Sequence, residues 1–464
     1  MEKILILHTN DLHSHFENWP KIRRFLQQRR FEAKSKGQTV ITVDLGDFVD
    51  RWHPLSEATN GQANVELMNT IGYDAATIGN NEGVGNSKTD LNHLYDHANF
   101  DVLLDNLFDK TSLQMPDWAR ASKIITTDKG TKIGLIAMTA PFPLTYTPNG
   151  WDIRQPNDLL PGLLAELRSQ VDVLVLMSHL GIGSDREIAR KFPEIDVILG
   201  SHTHHLFIQG EKIGQVQLAA AEKFGHYVGE VKIELADNKQ IVKTSARALP
   251  TSEMLELSED EEEISDYLTE GHNLLKARKV ADLPYPLAVD VDSEHPLVLA
   301  TLAAVKKRGH TQVSILNSGL FLEDIPAGIV NQDQLQRTLP HPMHLINVTL
   351  TGKNLIRLVQ EMEKNRNFLR NFPIVGMGFR GKIFGNIIYS GIDYDRINHQ
   401  VHWLGEMIDP EGSYTFTTVD HYLFVPFFPT IEIAGQVEFL FPEFIRSVLA
   451  EYLSQKFPLK SEES

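Results

Sequence analysis

Cysteine is absent from the whole 464-residue chain, which removes thiolate nucleophiles, disulfides and sulfur-ligated zinc together. Any metal must therefore sit on His, Asp, Asn or Glu. Long apolar runs are missing as well. The longest, such as 171–177, are strand-sized, far short of the roughly 18 residues that mark a membrane span. The opening Met-Glu-Lys leads only into the short run 4–7, with no small-residue cleavage site, so a soluble cytoplasmic chain without membrane association is expected. Positive charge is scarce: Asp and Glu number 61 against 44 Lys and Arg, a net charge of −17. Such a surface repels phosphate backbones and anionic lipids, which argues against general nucleic-acid binding. What is plentiful is histidine, 19 in all.

The length leaves room for two or three domains. Hydrophobic residues at 42% and charged residues at 23% exclude disorder as the main state. The first half repeats one pattern, a short β-branched or Leu-rich run, an abrupt polar loop and a helical stretch, which reads as the buried strands and covering helices of a layered α/β domain. This domain is expected over 1–250. Residues 251–282 read as an interdomain helical linker whose acidic run Ser258-Glu-Asp-Glu-Glu-Glu263 is a solvated face at a helix amino terminus. A second α/β domain is expected over 283–464, with a Ser293-capped helix through Lys307, a strand at 313–316 and an amphipathic helix from Thr351 to about Phe368.

The chemistry gathers in loops that follow successive strands. After 4–7 comes His8-Thr-Asn-Asp11-Leu-His13; after 39–43, Asp44-Leu-Gly46-Asp47; after 75–78, Gly79-Asn80-Asn81-Glu82; after 171–177, Ser178-His179; after 195–199, Gly200-Ser201-His202-Thr203-His204. In α/β sheets ligands gather outside the carboxyl ends of strands, so these loops should converge on one crevice. One-residue spacing in Asp11-x-His13 and His202-x-His204 lets two side chains leave a strand end on the same side and chelate. Each loop alone fits a turn former or a satisfied histidine. Together they form a cluster costly to bury unpaired, for which cations are the natural compensation.

This ordered set resembles the calcineurin-like metallophosphoesterases, in particular the cytoplasmic bacterial branch of bifunctional 5'-nucleotidases and 2',3'-cyclic-nucleotide phosphodiesterases. Leu316-Asn-Ser-Gly319 and Thr349-Leu-Thr-Gly352 resemble that family's carboxy-terminal substrate domain. The resemblance implies an α/β fold in which a four-layer α/β sandwich metallophosphoesterase domain precedes a smaller α/β 5'-nucleotidase domain. It implies two divalent transition-metal ions bridged by Asp47, with Asp11, His13 and His204 completing one site and Asn80, His179 and His202 the other. Mixed imidazole and carboxylate donors suit Mn, Zn, Co or Fe. The implied reaction is metal-hydroxide attack on the phosphorus of a nucleotide or related small phosphoester.

The chain departs from the family where Gly-Asn-His-Glu with a following Asp is usual. Here Asn81 replaces the His and Val84 the Asp. An amide donates a hydrogen bond but no proton, and general acid catalysis is worth roughly a hundredfold to ten-thousandfold. Asn81 is therefore expected at the phosphoryl group, and His205 or His53 is left as the source of a proton. In the second domain the family holds a nucleobase between two rings. Phe379 and Arg380 in Gly376-Met-Gly378-Phe379-Arg380, and Phe424, Phe427 and Phe428, are the candidates. An Arg usual after the family's Asn-x-Gly-Gly is replaced by Leu320-Phe-Leu322. The alternatives to a 5'-nucleotidase are a hydrolase of pyrophosphate-linked or 2',3'-cyclic nucleotides and a catalytically weak protein that binds metal and nucleotide. A DNA-acting phosphoesterase is disfavoured by the net charge.

Overall fold

The computed structural model describes residues 1–374, 376 and 378–460. Tertiary contacts divide the chain into two compact units, Met1–Gly271 and His272–Ser464.

The first unit is built on two sheets. One has strand order Ile241–Pro250, Tyr227–Leu235, Glu2–Thr9, Thr39–Asp44, Ala75–Ala76, Asp101–Leu103, Ala119–Arg120, and is parallel from Glu2–Thr9 onward. The other runs Glu211–Ile213, Val216–Ala219, Val197–Gly200, Val173–His179, Lys132–Thr139, Ser122–Thr126, with its four central strands parallel. The apolar runs follow from burial on both faces. Ile4 and Ile6 enter a core between the sheets with Ile41, Val43, Val173, Val175, Val197 and Leu199. Leu5 and Leu7 point the other way, against Trp19, Ile22 and Leu26 of helix Trp19–Ser35. Leu174 and Leu176 meet Leu160, Leu164 and Ile188 of helices Pro156–Leu167 and Ile182–Lys191. The outcome is helix, sheet, sheet, helix, the expected four-layer α/β sandwich.

The acidic run at 258–263 differs from its reading as a solvated face. Helix Asp260–Lys276 starts inside it, and Asp260 and Glu263 accept bidentate hydrogen bonds from Arg24 and Arg23 of helix Trp19–Ser35. Acidic side chains at a helix start are favoured by its dipole, and these two also find fixed guanidinium forks.

The second unit carries a five-stranded sheet in the order Ile387–Ser390, Ser314–Asn317, Ser413–Val419, His344–Thr351, Gln436–Phe444, with helices Leu297–Gly309, Gly352–Leu369 and Ile445–Lys456. The helix expected from Thr351 is Gly352–Leu369, and Thr351 is its N-cap, its side chain accepting from the Asn354 N–H. Ser293 caps nothing: the helix begins at Leu297, with Pro296 at its N-cap. The residue before a proline is driven out of the α region, which stops the helix from reaching back through His295. Among the described residues no helix is long and apolar enough to cross a membrane.

Glu230 ties the helical layer to the sheet. Its side chain is wholly buried, accepts from Arg247 Nε at 2.7 Å and is paired with Arg29 of helix Trp19–Ser35 and with Lys232. Burial raises its carboxyl, but Arg247, Arg29 and Lys232 outweigh that and bring it down to about 2. A carboxylate depressed on folding stabilises above its unfolded pKa and loses that contribution as pH falls toward its folded one. Glu230→Ala should therefore cost about 3 kcal/mol at neutral pH by stranding its arginines. In urea denaturation the deficit of Glu230→Gln relative to wild type should shrink between about pH 4.5 and pH 2.

Candidate metal centre

The loops expected to bind metal converge at the carboxyl edges of both sheets: three leave the first sheet and two the second. Their backbone is unusual. Asp11, His13, Asp47, His202 and His204 all adopt positive φ, between 50° and 74°, a conformation that costs non-glycine residues free energy and gathers at functional sites. Paired backbones hold it in place: Asp11 N–H donates to Gly46 C=O at 3.0 Å and His13 N–H to Asp47 C=O at 2.8 Å. The glycines are steric requirements. A Cβ on Gly46 would lie 2.3 Å from Gly79 N, and one on Gly79 would lie 2.0 Å from Asp47 Oδ1 and 2.5 Å from His179 Cε1.

Two donor sets result, Asp11 with His13 and His204, and Asp47 with His179 and His202; within each, one ligand atom per residue lies within 4.8 Å of the others. His13 Nε2 and His204 Nε2 converge to 3.1 Å. Asp47 Oδ2 stands 3.7 Å from His13 Nε2 and 3.4 Å from His179 Nε2, between the two sets. The residues fit cations. His179 Nδ1 donates to Leu45 C=O at 2.8 Å, leaving Nε2 as a lone-pair donor, and that Nε2 is buried without a hydrogen-bond partner. Asn80 Oδ1 is likewise buried and unpartnered.

The electrostatics describe a site short of positive charge. Burial raises Asp47, but the charges of His179 and His13 more than reverse this and hold it well below the usual carboxylate range. Burial lowers His179 and the Asp47 carboxylate overcomes it, lifting the ring to about 10. His13 is raised in the same way: burial is outweighed by Asp50, Asp47 and Asp11. His202, buried and beside His179, falls to about 4. The carboxylates that hold protons on these rings attract divalent cations, which displace the protons on binding.

Residues the sequence did not single out hold the ligands in place. Glu82 accepts from Gly79 N–H at 2.8 Å, Asp47 N–H at 2.9 Å and Val49 N–H at 2.8 Å, stitching the second and third loops together. Ser201 Oγ donates to Asp11 Oδ2 at 2.7 Å and lies 3.0 Å from His179 Nδ1, linking the two sets. Both were visible inside the quoted motifs, Glu82 closing Gly-Asn-Asn-Glu and Ser201 between Gly200 and His202, but their partners were not.

The remaining candidates are placed differently. The Asn81 side chain lies 2.8 Å from His13 Nδ1 and the Asn81 backbone N–H donates to Asp47 Oδ1 at 2.8 Å, so Asn81 orients residues of both donor sets. His205 packs edge-on against Phe207 at 4.5 Å, and His53 caps helix Pro54–Ala58 through Nδ1. In the second unit Phe379 is 3% exposed and stacked between His341 and His421, while Phe428 is stacked on Tyr422 in the core. A base would have to displace those neighbours to reach either ring. Arg380 donates its backbone N–H to His341 Nδ1 at 2.9 Å, and Phe427 packs on Phe372. Phe424 has an open face. Met377, in the glycine-rich loop, lies outside the described residues.

A four-layer sandwich with two adjacent imidazole and carboxylate donor sets at its strand ends defines a metal-dependent phosphoester hydrolase. Residues 4–206 match the model for calcineurin-like phosphoesterases and 286–424 that for the 5'-nucleotidase C-terminal domain. The chain is 37% identical over 468 residues to the Bacillus subtilis protein named uncharacterized metallophosphoesterase YunD, covering 98% of this chain and 100% of that one. It is 23% identical over 490 residues to Escherichia coli UshA, covering 90% and 84%. The fold is shared with the Haemophilus influenzae NAD nucleotidase NadN (TM-score 0.65, 15% identity, 98% and 96% covered) and a Thermus thermophilus 5'-nucleotidase precursor (TM-score 0.58, 17% identity, 99% and 97% covered). The chain belongs to the calcineurin-like phosphoesterase family.

Asp47→Asn should retain the fold but lose bound transition metal, measured by elemental analysis of purified protein. Ser201→Ala, which keeps every ligand but loosens Asp11 and His179, should weaken metal affinity about tenfold to a hundredfold, measured by competition with a chelating dye.

Proposed function

We propose that this phosphoesterase hydrolyses nucleotides and related small phosphoesters at a centre holding two divalent transition-metal ions, of the Mn, Zn, Co or Fe type. The observation that carries the reading is Asp47 Oδ2 poised between His13 Nε2 and His179 Nε2, with the buried donors His179 Nε2 and Asn80 Oδ1 left unpaired. When bound, such a pair supplies positive charge to a phosphoryl group and lowers the pKa of water. The protein's part is to hold its donors rigid: Glu82 fixes the Asp47 backbone, Ser201 couples Asp11 to His179, and Asn81 orients His13.

Nucleotide specificity is supported by the relatives. YfkN of Bacillus subtilis, 23% identical over 77% of this chain, is named a trifunctional nucleotide phosphoesterase, and the second unit matches the 5'-nucleotidase C-terminal model. We assign nucleoside recognition to that unit.

Asn81 refines the substrate. It delivers no proton and its side chain is engaged with His13, so a basic ribose alkoxide departs without help, whereas a phosphate or aryloxide needs none. With saturating Mn, rates should climb steeply as the leaving group becomes less basic, aryl phosphates and pyrophosphate-linked nucleotides outrunning AMP. A flat dependence, with AMP as fast as an activated ester, would show that another residue supplies the proton.

A further inference from the structure

One loop at the carboxyl edge of the second sheet supplies none of the donors and still borders the centre. Strand Lys132–Thr139 runs parallel to Val173–His179, and its last residue, Thr139, is the register partner of the ligand His179. The chain then reads Ala140-Pro141-Phe142-Pro143. The Phe142 ring lies 5.6 Å from the His202 ring, tilted by 52°, and stays 40% exposed. Its backbone has little freedom. The following proline restricts it, and Phe142 C=O accepts from Thr145 N–H at 3.1 Å and Tyr146 N–H at 3.0 Å. The Asn106 side chain bonds the N–H and the C=O of Thr139 at 3.0 and 2.8 Å. Tyr146, wholly buried, ends the helix Pro143–Tyr146 against the helix Asn80–Val84: a Cβ on Gly83 would lie 2.1 Å from the Tyr146 hydroxyl oxygen.

A half-exposed ring alone is ordinary on a protein surface. Phe142 differs in being fixed from two sides, by the strand beside His179 and by the helix that carries Asn80 and Asn81, against a ligand of the centre. We infer that Phe142 is a specificity-determining residue whose ring packs on the substituent of the phosphoryl group and selects flat apolar substituents, such as aryl rings, over compact polar ones. The inference rests on the phosphoesterase reading above, and it adds a contact made by the first unit, separate from the nucleoside recognition assigned to the second. A group bonded to phosphorus leaves the centre along the residues that flank the donor sets, and on the His202 side that flank is Phe142. Ring packing there removes apolar surface from water and gains dispersion, while a ring already held by its backbone loses little freedom on binding. A polar substituent would give up water at this face for no hydrogen bond. Phe224, which meets His13 of the other donor set edge-on at 5.8 Å, is itself packed on His15 at 3.8 Å.

The test compares wild type, Phe142→Ala and Phe142→Trp as full chains loaded with Mn. Calorimetry reads binding of phenylphosphonate against methylphosphonate, which share one head group and have no leaving group, so leaving-group basicity does not enter. Wild type should bind phenylphosphonate the more tightly. Phe142→Ala should lose about tenfold on phenylphosphonate and stay within about twofold on methylphosphonate, with Phe142→Trp keeping most of the preference. Competition with a chelating dye should show the same Mn affinity in all three chains. No preference in wild type, equal losses on the two phosphonates in Phe142→Ala, or a loss that follows weakened Mn binding would overturn the assignment and reduce Phe142 to packing for His202. A wild type that binds Mn and prefers phenylphosphonate yet hydrolyses neither phenyl phosphate nor AMP would overturn the phosphoesterase reading instead, with the Phe142 contact upheld.

Discussion

Carboxylates and imidazoles packed out of water at the ends of parallel strands are the constraint on which the rest of the first unit depends. Asp11 and Asp47 are buried beside His13, His179 and His202, and ions so placed are tolerated only with compensating charge and full hydrogen bonding. The glycines at 46 and 79, the left-handed backbones of the ligand residues and the buried Glu82 and Ser201 are all consequences of bringing these groups together. Left-handed conformations cost of order 1–3 kcal/mol each, and the paired backbones of the first and second loops hold them.

Much of this centre was legible in the sequence because metal chemistry is written in residue type and spacing. Asp11-x-His13 and His202-x-His204 follow apolar runs whose strand character is unambiguous, and both faces of those strands are covered, so their carboxyl ends mark the site. Glu82 and Ser201 were not legible as positioning residues, since each acts on groups brought near only by folding: Glu82 on the backbone at 47 and 49, Ser201 on Asp11 from a loop of the other sheet. The acidic run at 258–263 looked like a solvated face because its arginine partners lie more than two hundred residues earlier.

The second unit was less legible. One of its five sheet strands and two of its helices were read from the sequence, and aromatic density does not separate a stacking platform from a core. Phe379 and Phe428 lie in the core and Phe424 is exposed, a difference set by tertiary packing rather than by local pattern. Asn81 shows the converse: a difference of residue type legible in the sequence alone puts an amide, which delivers no proton, beside His13.

The central claim is that Asp47 bridges two cations held by the two donor sets. Anomalous diffraction from crystals grown with Mn tests it most directly. The account predicts two peaks about 3.5 to 4 Å apart, one against Asp11, His13 and His204, the other against Asn80, His179 and His202, with Asp47 between them. A single peak, or peaks that do not share Asp47, would contradict it.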